Sequence, residues 1–315
     1  MTVAGGMIVA RGIETPPPPA TQGSVVSIGV FDGVHLGHRA ILARNLERAR
    51  ELGARATVIT FAEHPKSLLL GRAPRTLTSL EHRLELFARA HIECVWVLHF
   101  DAALRALDAR AFVEQLCLRN LEARRFVLGF DSKFGRDRAG TPEALAAAGH
   151  PVDIVPQVLV AARAVSSTAI RECIELGDLE AAARLLGRRV STLGTVVAGD
   201  QLGRRLGFPT ANLDLHHELH PPVGVYAARA RLPGASAGVP AVVNIGWRPT
   251  VSGETPRTPR VEVHLLDWSG DLYGQALEVE YVARLRDERR FNGLGELTEQ
   301  IARDVQSARA HLAAG

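Results

Sequence analysis

The spacing of apolar residues changes once along this chain, and that change limits the folds open to it. From Ser24 to Phe130, short β-branched runs alternate with segments of helical period. SVVSIGV (24–30) is followed by GHRAILARNLERAREL (37–52), where Ile41, Leu42, Leu46, Ala49 and Leu52 recur at helical spacing. ATVITF (56–61), HRLELFARA (82–90), CVWVLHF (94–100), AFVEQLCLRNL (111–121) and RFVLGF (125–130) continue the alternation. Such a pattern predicts a parallel α/β sheet covered by helices, whose ligands bind beyond the carboxyl ends of the strands. A helical stretch, TAIRECIELGDLEAAARLLG (168–187), then leads to segments of period two: STLGTVVAG, GVYAARARL, PAVVNIGW, PRVEVHLLDW and ALEVEYVARL. Glycine and proline separate them, as in an antiparallel barrel or sandwich. Leu294, Leu297, Ile301, Val305, Ala308 and Leu312 form the stripe of a last amphipathic helix. Two domains are expected, 1–187 and 188–315. The first 23 residues, with Pro16 to Pro19, read as an extended lead-in.

Composition narrows the classes of function. The N-terminus lacks a basic stretch followed by an apolar core, and no apolar run is long enough to cross a bilayer, so a cytoplasmic protein without a membrane partner is expected. Cys94, Cys117 and Cys173 stand outside any C-x-x-C, which fits a reducing compartment and argues against a disulfide framework or zinc ribbon. The net charge of +3 does not call for a nucleic-acid partner, while basic character leaves room for anionic ligands. Lys66 and Lys133 are the only lysines, so phosphate contacts must rest largely on arginine.

The segment IGVFDGVHLGHRA (28–40) lies between the first expected strand and the first helix. His35 and His38 form H-x-G-H at the helix entrance, and Gly33 and Gly37 let the backbone approach a ligand. A helix N-terminus offers free N–H groups and partial positive charge to phosphate. Histidines placed there can stabilise charge that develops as pyrophosphate leaves an α-phosphate. Two solvent-facing histidines after a tight turn are the plainer reading. A second signal, VSSTAIRE (165–172), sets Ser166, Ser167 and Thr168 before Arg171 at a helix start, where an ordinary N-cap would need one hydroxyl. An aminoacyl-tRNA synthetase also uses H-x-G-H, but its lysine-rich second motif cannot be written with two lysines.

The second half carries GDQLGRRLGFPTANLDL (199–215), with Gly199, Gly203 and Gly207 in a loop charged by Arg204 and Arg205. It is not a Walker A loop. If the stretch is extended, Thr210 and Asn212 share a face and offer hard oxygens to magnesium held mainly by nucleotide phosphates. In PRVEVHLLDW, Glu262 leaves the strand opposite Val261 and Val263, where a carboxylate could take a hydroxyl proton. A solvent-facing glutamate would show the same pattern. HHELH (216–220) resembles a metal motif but precedes Pro221-Pro222 and reads as a solvated loop.

From Met7 to the last helix the chain resembles the bacterial bifunctional riboflavin kinase/FAD synthetases. The resemblance rests on IGVFDGVHLGH, TFAEHP, GFDSKFGRDRAG, VSSTAIRE, LGFPTANL, GVYA, NIGWRPT, VEVHLLD, DLYG and LRDERRF, in that order. Because it begins at Met7, Met1 and Met7 are both candidate starts. It implies a Rossmann-like FMN adenylyltransferase followed by a riboflavin kinase with a six-stranded Greek-key barrel. ATP would be the co-substrate of both, with Mg2+ as cofactor and riboflavin and FMN as partners, in a monomer or weak oligomer. By resemblance His35, His38 and His64 contact ATP phosphates, alongside Gly29, Phe31 and Gly33. Asp131 lines the adenylyltransferase site, and Ser167, Thr168 and Arg171 form its second phosphate motif. Gly199 and Gly207 belong to the kinase nucleotide loop, Thr210 and Asn212 hold its metal, and Glu262 is its base. The chain departs from the family pattern at Val30, Ser132, Ala164 and Ala169, on the flavin and phosphate side of the first site. A kinase with a degenerate FMN-binding first domain, a flavin carrier, and a nucleotidylyltransferase for another substrate are the alternatives.

Overall fold

A computed structural model describes residues 2–4, 6–63, 75–199, 202–235, 237–247 and 259–313. The chain divides into two compact units, Met1–Ser167 and Thr168–Gly315. The helical stretch expected at the end of the first domain thus groups with the barrel, ahead of the expected division at 187/188.

The first unit is built on a sheet of β1 (Thr2–Ala4), β2 (Met7–Arg11), β3 (Ser24–Ile28), β4 (Arg55–Phe61), β5 (Cys94–Leu98), β6 (Ala123–Gly129) and β7 (Val152–Val155). Their spatial order is β1-β2-β5-β4-β3-β6-β7. Every neighbouring pair is parallel except β1 with β2. β3 and β5 are buried at all five positions, as strands covered on both faces must be. Alternate residues feed two cores. Val25, Val58, Val95 and Val127 meet Leu42 and Ala49 of the helix Leu36–Leu52 and Phe87 of the helix Leu80–Arg89. Val26, Ile59, Trp96 and Phe126 meet Phe112, Leu116 and Cys117 on the other face. From β3 the chain winds outward through β4 to β5, then returns to place β6 on the opposite side of β3. That reversal is the switch point where α/β sheets take ligands. A small hairpin, β8 (Leu159–Val160) with β9 (Arg163–Ala164), follows.

Three features differ from expectation. Met7–Arg11 is not lead-in but a strand, with Met7 and Val9 each 2% exposed and Ile8 in register with Cys94. Its apolar run is too short to stand out from the glycine and proline around it. The four-residue strand β7 escaped notice for the same reason. The helix expected over 111–121 is an α-turn, Ala109–Phe112, continued by a π-helix, Val113–Asn120, a widening that apolar period does not encode.

The second unit opens with two helices, Ser167–Glu175 and Leu179–Leu186. Six strands then close into a barrel: β10 (Ser191–Val197), β11 (Ala211–Asp214), β12 (Gly224–Arg231), β13 (Val239–Gly246), β14 (Arg260–Leu265) and β15 (Ala276–Arg286), in the order β10-β11-β14-β13-β12-β15. All contacts are antiparallel. β12, β13 and β14 follow one another as neighbours and β15 returns beside β12, which is a Greek key. Val243, Val263, Leu277 and Val279, all 0% exposed, fill the interior with Tyr226 and Tyr281, so the barrel is a packed core. The helix Leu294–Ala313 lies on its outer surface, packing Ala308 and Leu312 against Val225, Ala227 and Val242. Arg286 grips Asp304 at 2.7 Å, and Arg229 donates to the Leu312 carbonyl at 2.8 Å. The expected stripe holds only in part: Leu294 is 58% exposed, while Ala308 and Leu312 are buried.

Candidate active sites

The first site grows from the turn between β3 and the helix Leu36–Leu52. His35 is the N-cap of that helix, and its Nδ1 accepts the backbone N–H of His38 at 3.3 Å. A nitrogen that accepts carries no proton, so in the neutral ring Nε2 is the donor. The two imidazoles stack with centroids 3.6 Å apart, and the Phe31 ring stands edge-on to His38 at 5.2 Å. A side chain on Gly37 would press on the His35 ring at 3.3 Å, and one on Gly29 would press on Phe31 at 3.1 Å. Phe31 (φ 54) and Val34 (φ 39) take the left-handed conformation although neither is glycine. Each such residue costs on the order of 1–3 kcal/mol and persists only where its surroundings over-determine it. Gly33, at φ +83, fits its position; a Cβ there would meet Leu77 Cδ1 at 2.7 Å.

Several groups hold this turn. Gly33 N–H donates to Thr78 Oγ1 at 2.9 Å, and Thr78 N–H donates to Asp32 Oδ1 at 3.1 Å. Ser167, the middle hydroxyl of the second motif, donates to the Asp32 carbonyl at 3.0 Å, which ties that hydroxyl to the turn. Thr168, exposed, and Arg171, partly buried, follow Ser167 on its helix. The buried Arg83 donates to the Val30 carbonyl at 2.6 Å and to the Phe61 carbonyl at 2.9 Å, tying the ends of β3 and β4. Asp131 is exposed just past β6, across the switch point from the histidine turn. The space at Gly129 is closed by Ile41 Cδ1 of the histidine helix at 3.2 Å. His64 lies outside the described residues. Asp32, Thr78 and Arg83 escaped the sequence reading, since none belongs to a pattern that separates a turn-holding residue from an ordinary polar one.

The second site lies on the outer face of the barrel. Asn212 on β11 stands directly opposite Glu262 on β14, and Glu262 stands directly opposite Asn244 on β13. Residues so paired have Cβ atoms about 4.5–5.5 Å apart on one face. Val261 and Val263 point inward, 1% and 0% exposed, and Glu262 is partly buried on the other side, as its alternation predicts. A Cβ on Gly199 would collide with the Asn212 amide, so the amide holds its present position only because residue 199 is glycine. Asn212 Oδ1 is buried and has no hydrogen-bond partner among the described residues. Thr210 lines a cavity of about 660 Å³ with Arg204, Trp268, Asp271 and Tyr273. An unpaired buried amide oxygen two residues from a cavity-lining hydroxyl is a donor set of the hardness magnesium requires. Gly207, at φ +87, turns the chain before Pro209. His264 pins that turn: its Nδ1 lies 2.8 Å from the Pro209 carbonyl, and its ring meets Phe208 edge-on.

HHELH is not a solvated loop throughout. His216 and His217 are exposed, but Glu218 is 2% and His220 7% exposed. Glu218 accepts the Leu193 N–H at 2.9 Å, so a strand donor rather than water satisfies it. No metal-binding cluster of histidine, cysteine and carboxylate occurs among the described residues.

Comparison with known proteins also finds two parts in the chain. A sequence model for FAD synthetase matches residues 18–169, and one for riboflavin kinase matches 186–312. A bifunctional riboflavin kinase/FMN adenylyltransferase from Haemophilus influenzae is 37% identical over 294 residues, covering 92% of this chain and 94% of its own. Its counterpart from Escherichia coli K12 is 38% identical over 308 residues, covering 96% and 97%. A crystal structure described as a macrolide-efflux protein from Streptococcus pneumoniae superposes with a TM-score of 0.79 at 29% identity, covering 96% of this chain and 99% of that one. Among the described residues of this chain, no helix is long and apolar enough to cross a membrane.

Proposed function

Because the chain belongs to the bifunctional riboflavin kinase/FMN adenylyltransferase family, we propose that its two ATP-dependent steps are carried by the residues gathered at these two sites. In the barrel unit, Glu262 accepts the proton of the ribityl hydroxyl as that oxygen attacks the γ-phosphorus of ATP, giving FMN and ADP. Asn212 Oδ1 and Thr210 Oγ1 would hold Mg2+, which when bound offsets the charge of the nucleotide phosphates. Gly199 and Gly207 allow the loop to close on the nucleotide.

In the α/β unit, a phosphate oxygen of FMN attacks the α-phosphorus of ATP, the bond to the β-phosphate oxygen breaks, and FAD and pyrophosphate result. His35 and His38, with the free N–H groups of their helix, stabilise the charge that develops there. By the family resemblance Ser167 takes a phosphate oxygen, Thr168 and Arg171 complete its motif along the chain, His64 assists on the ATP side, and Asp131 lines the nucleotide site. This enzyme works in the cytoplasm as a monomer or weak oligomer, without a membrane, and its net charge of +3 does not call for nucleic acid.

The observation that carries the kinase reading is the cross-strand pair Asn212–Glu262, with its unpaired buried Oδ1 beside the carboxylate. Incubation with riboflavin, ATP and Mg2+, followed by separation of the flavins, tests the whole reading. FMN and FAD are expected together; FMN alone would mean that the first unit binds FMN without adenylylating it.

A further inference from the structure

We propose that Thr78 is a positioning residue for adenylyl transfer, a latch that keeps the strained turn before His35 in its reactive form. The proposal rests on the reading of His35 and His38 as the groups that stabilise the reaction. Thr78 lies 45 positions beyond Gly33, outside both nucleotide motifs, and is 1% exposed. It touches the turn three ways. Its hydroxyl oxygen accepts the Gly33 N–H at 2.9 Å. Its own N–H and, more distantly, its hydroxyl reach Asp32 Oδ1, at 3.1 and 3.5 Å. Its neighbour Leu77 fills the space that Gly33 leaves open.

The turn needs such support. Phe31 and Val34 hold left-handed backbone conformations that side chains disfavour, and these relax unless their surroundings forbid it. Within the turn itself, the Val34 N–H donates to the Phe31 carbonyl at 3.0 Å. That bond closes the loop but does not orient it against the sheet. Thr78 can orient it because its own backbone is fixed: Ser79, the next residue, caps the helix Leu80–Arg89 by accepting the His82 N–H. The latch therefore passes the rigidity of that helix to the turn, and through Gly33 to the N-cap His35. If the hydroxyl is lost, the Gly33 N–H is buried without that acceptor and the turn must shift to rehydrate it.

Thr78→Val keeps the volume and removes the hydroxyl; Thr78→Ser keeps the hydroxyl and removes the methyl. Thr78→Val should lower kcat for FAD formation from FMN by about 10–100-fold, the cost of misplacing catalytic groups by a fraction of an ångström to one ångström. KM for ATP should change much less, because the histidines act on charge that appears only in the transition state. Thr78→Ser should return kcat to within about threefold of the parent. FMN formation, carried by the other unit, should be unchanged in both variants. Parent-like FAD turnover in Thr78→Val would overturn the latch, as would a Thr78→Ser variant as slow as Thr78→Val. If Thr78→Val unfolds the first unit, Asp32→Asn carries the test, since it weakens the acceptor of the Thr78 N–H; the same kcat loss is expected, and a parent-like kcat would overturn the proposal. His38→Ala assayed alongside separates the two ideas. Loss of FAD formation in His38→Ala without loss in Thr78→Val removes the latch alone; full activity in His38→Ala removes its premise.

Discussion

The imidazoles of His35 and His38 lie face to face, 3.6 Å apart and 15° from parallel, and the Nδ1 of the first accepts the backbone N–H of the second. His35 therefore serves the helix with Nδ1 while its ring lies against that of His38, so it has a structural role as well as the proposed chemical one. The two roles separate by mutation. His35→Ala should lose a cap, worth about 0.5–2 kcal/mol, and also slow FAD formation by ~10²–10³. His35→Asn should restore the cap and the melting temperature but not the rate. His38→Ala should lose FAD formation while FMN formation persists. A His35→Asn variant with parent-like FAD turnover would reduce His35 to a capping residue.

Asp153 on β7 is held by Arg48 at 2.5 Å, Arg125 at 2.9 Å and Arg44 at 3.4 Å. Burial pushes its carboxyl up, but the Arg48 hydrogen bond and the charges of Arg125, Arg48 and Arg44 outweigh burial, and the group ends below its ordinary range. A carboxylate with a depressed folded pKa stabilises fully above its unfolded value, about 3.9, and loses that stabilisation as pH falls through the folded value. Asp153→Asn should therefore lower the melting temperature of the first unit at pH 7. The gap between variant and parent should close as pH falls below about 4. A gap of constant size down to acid pH would show that shape, not charge, makes Asp153 useful.

What the sequence disclosed follows from what a one-dimensional pattern can encode. Glu262 was legible because two valines flank it at period two, which fixes its face whatever the fold. The switch-point placement of His35 and His38 was legible because strand, turn and helix follow in direct succession. Thr78 and Asp32 were not legible, because their partnership joins residues 46 positions apart and no local rule marks either. Glu218 misled for a related reason: among histidines it looks wet, yet it accepts the N–H of Leu193, 25 positions earlier on β10. Asn212 stands between these cases. Its motif was visible, but the orphaned Oδ1 and the glycine that lies against its amide appear only in three dimensions.

Gly199 makes the placing of Asn212 testable. A methyl group there would collide with the Asn212 amide, so Gly199→Ala should turn or displace the side chain proposed to hold magnesium. FMN formation should fall by about 10–100-fold, and calorimetric affinity for ADP should lose most of its dependence on Mg2+. In an Asn212→Ala background the three atoms nearest to the methyl group are gone, and Gly199→Ala should cost little more. Additive losses across this double-mutant cycle would mean that the two residues act separately.

The two units should be separable. The six strands, Thr210, Asn212, Glu262 and the C-terminal helix all lie beyond Arg188, so a fragment beginning there should make FMN. A fragment beginning at Thr168 should melt higher, because it keeps Ala182, Leu185 and Leu186 of the helix Leu179–Leu186, each at most 3% exposed, in their buried places. A folded fragment from Arg188 that forms no FMN would show that the preceding helices are part of the kinase itself.

Glu262 decides the chemistry of the barrel. It sits between Asn212 and Asn244 in one cross-strand row, and two residues along its strand His264 steadies the Pro209 turn that leads to Thr210. The carboxylate thus neighbours the proposed metal donors without having to be one of them. A base in that position contributes about 10²–10⁴-fold, and only while it can take a proton. Glu262→Gln keeps the size, one carbonyl oxygen and the strand register, but cannot accept the proton. It should bind riboflavin and Mg-ADP nearly as the parent does, yet form FMN at least ~100-fold more slowly. Supplied with FMN, the same variant should make FAD at the parent rate, because His35 and His38 belong to the other unit. Near-parent kinase turnover in Glu262→Gln would leave no other carboxylate in the Asn212–Asn244 row to take the proton. The proton would then have to leave by another route, and the row would serve to bind the nucleotide and its metal alone.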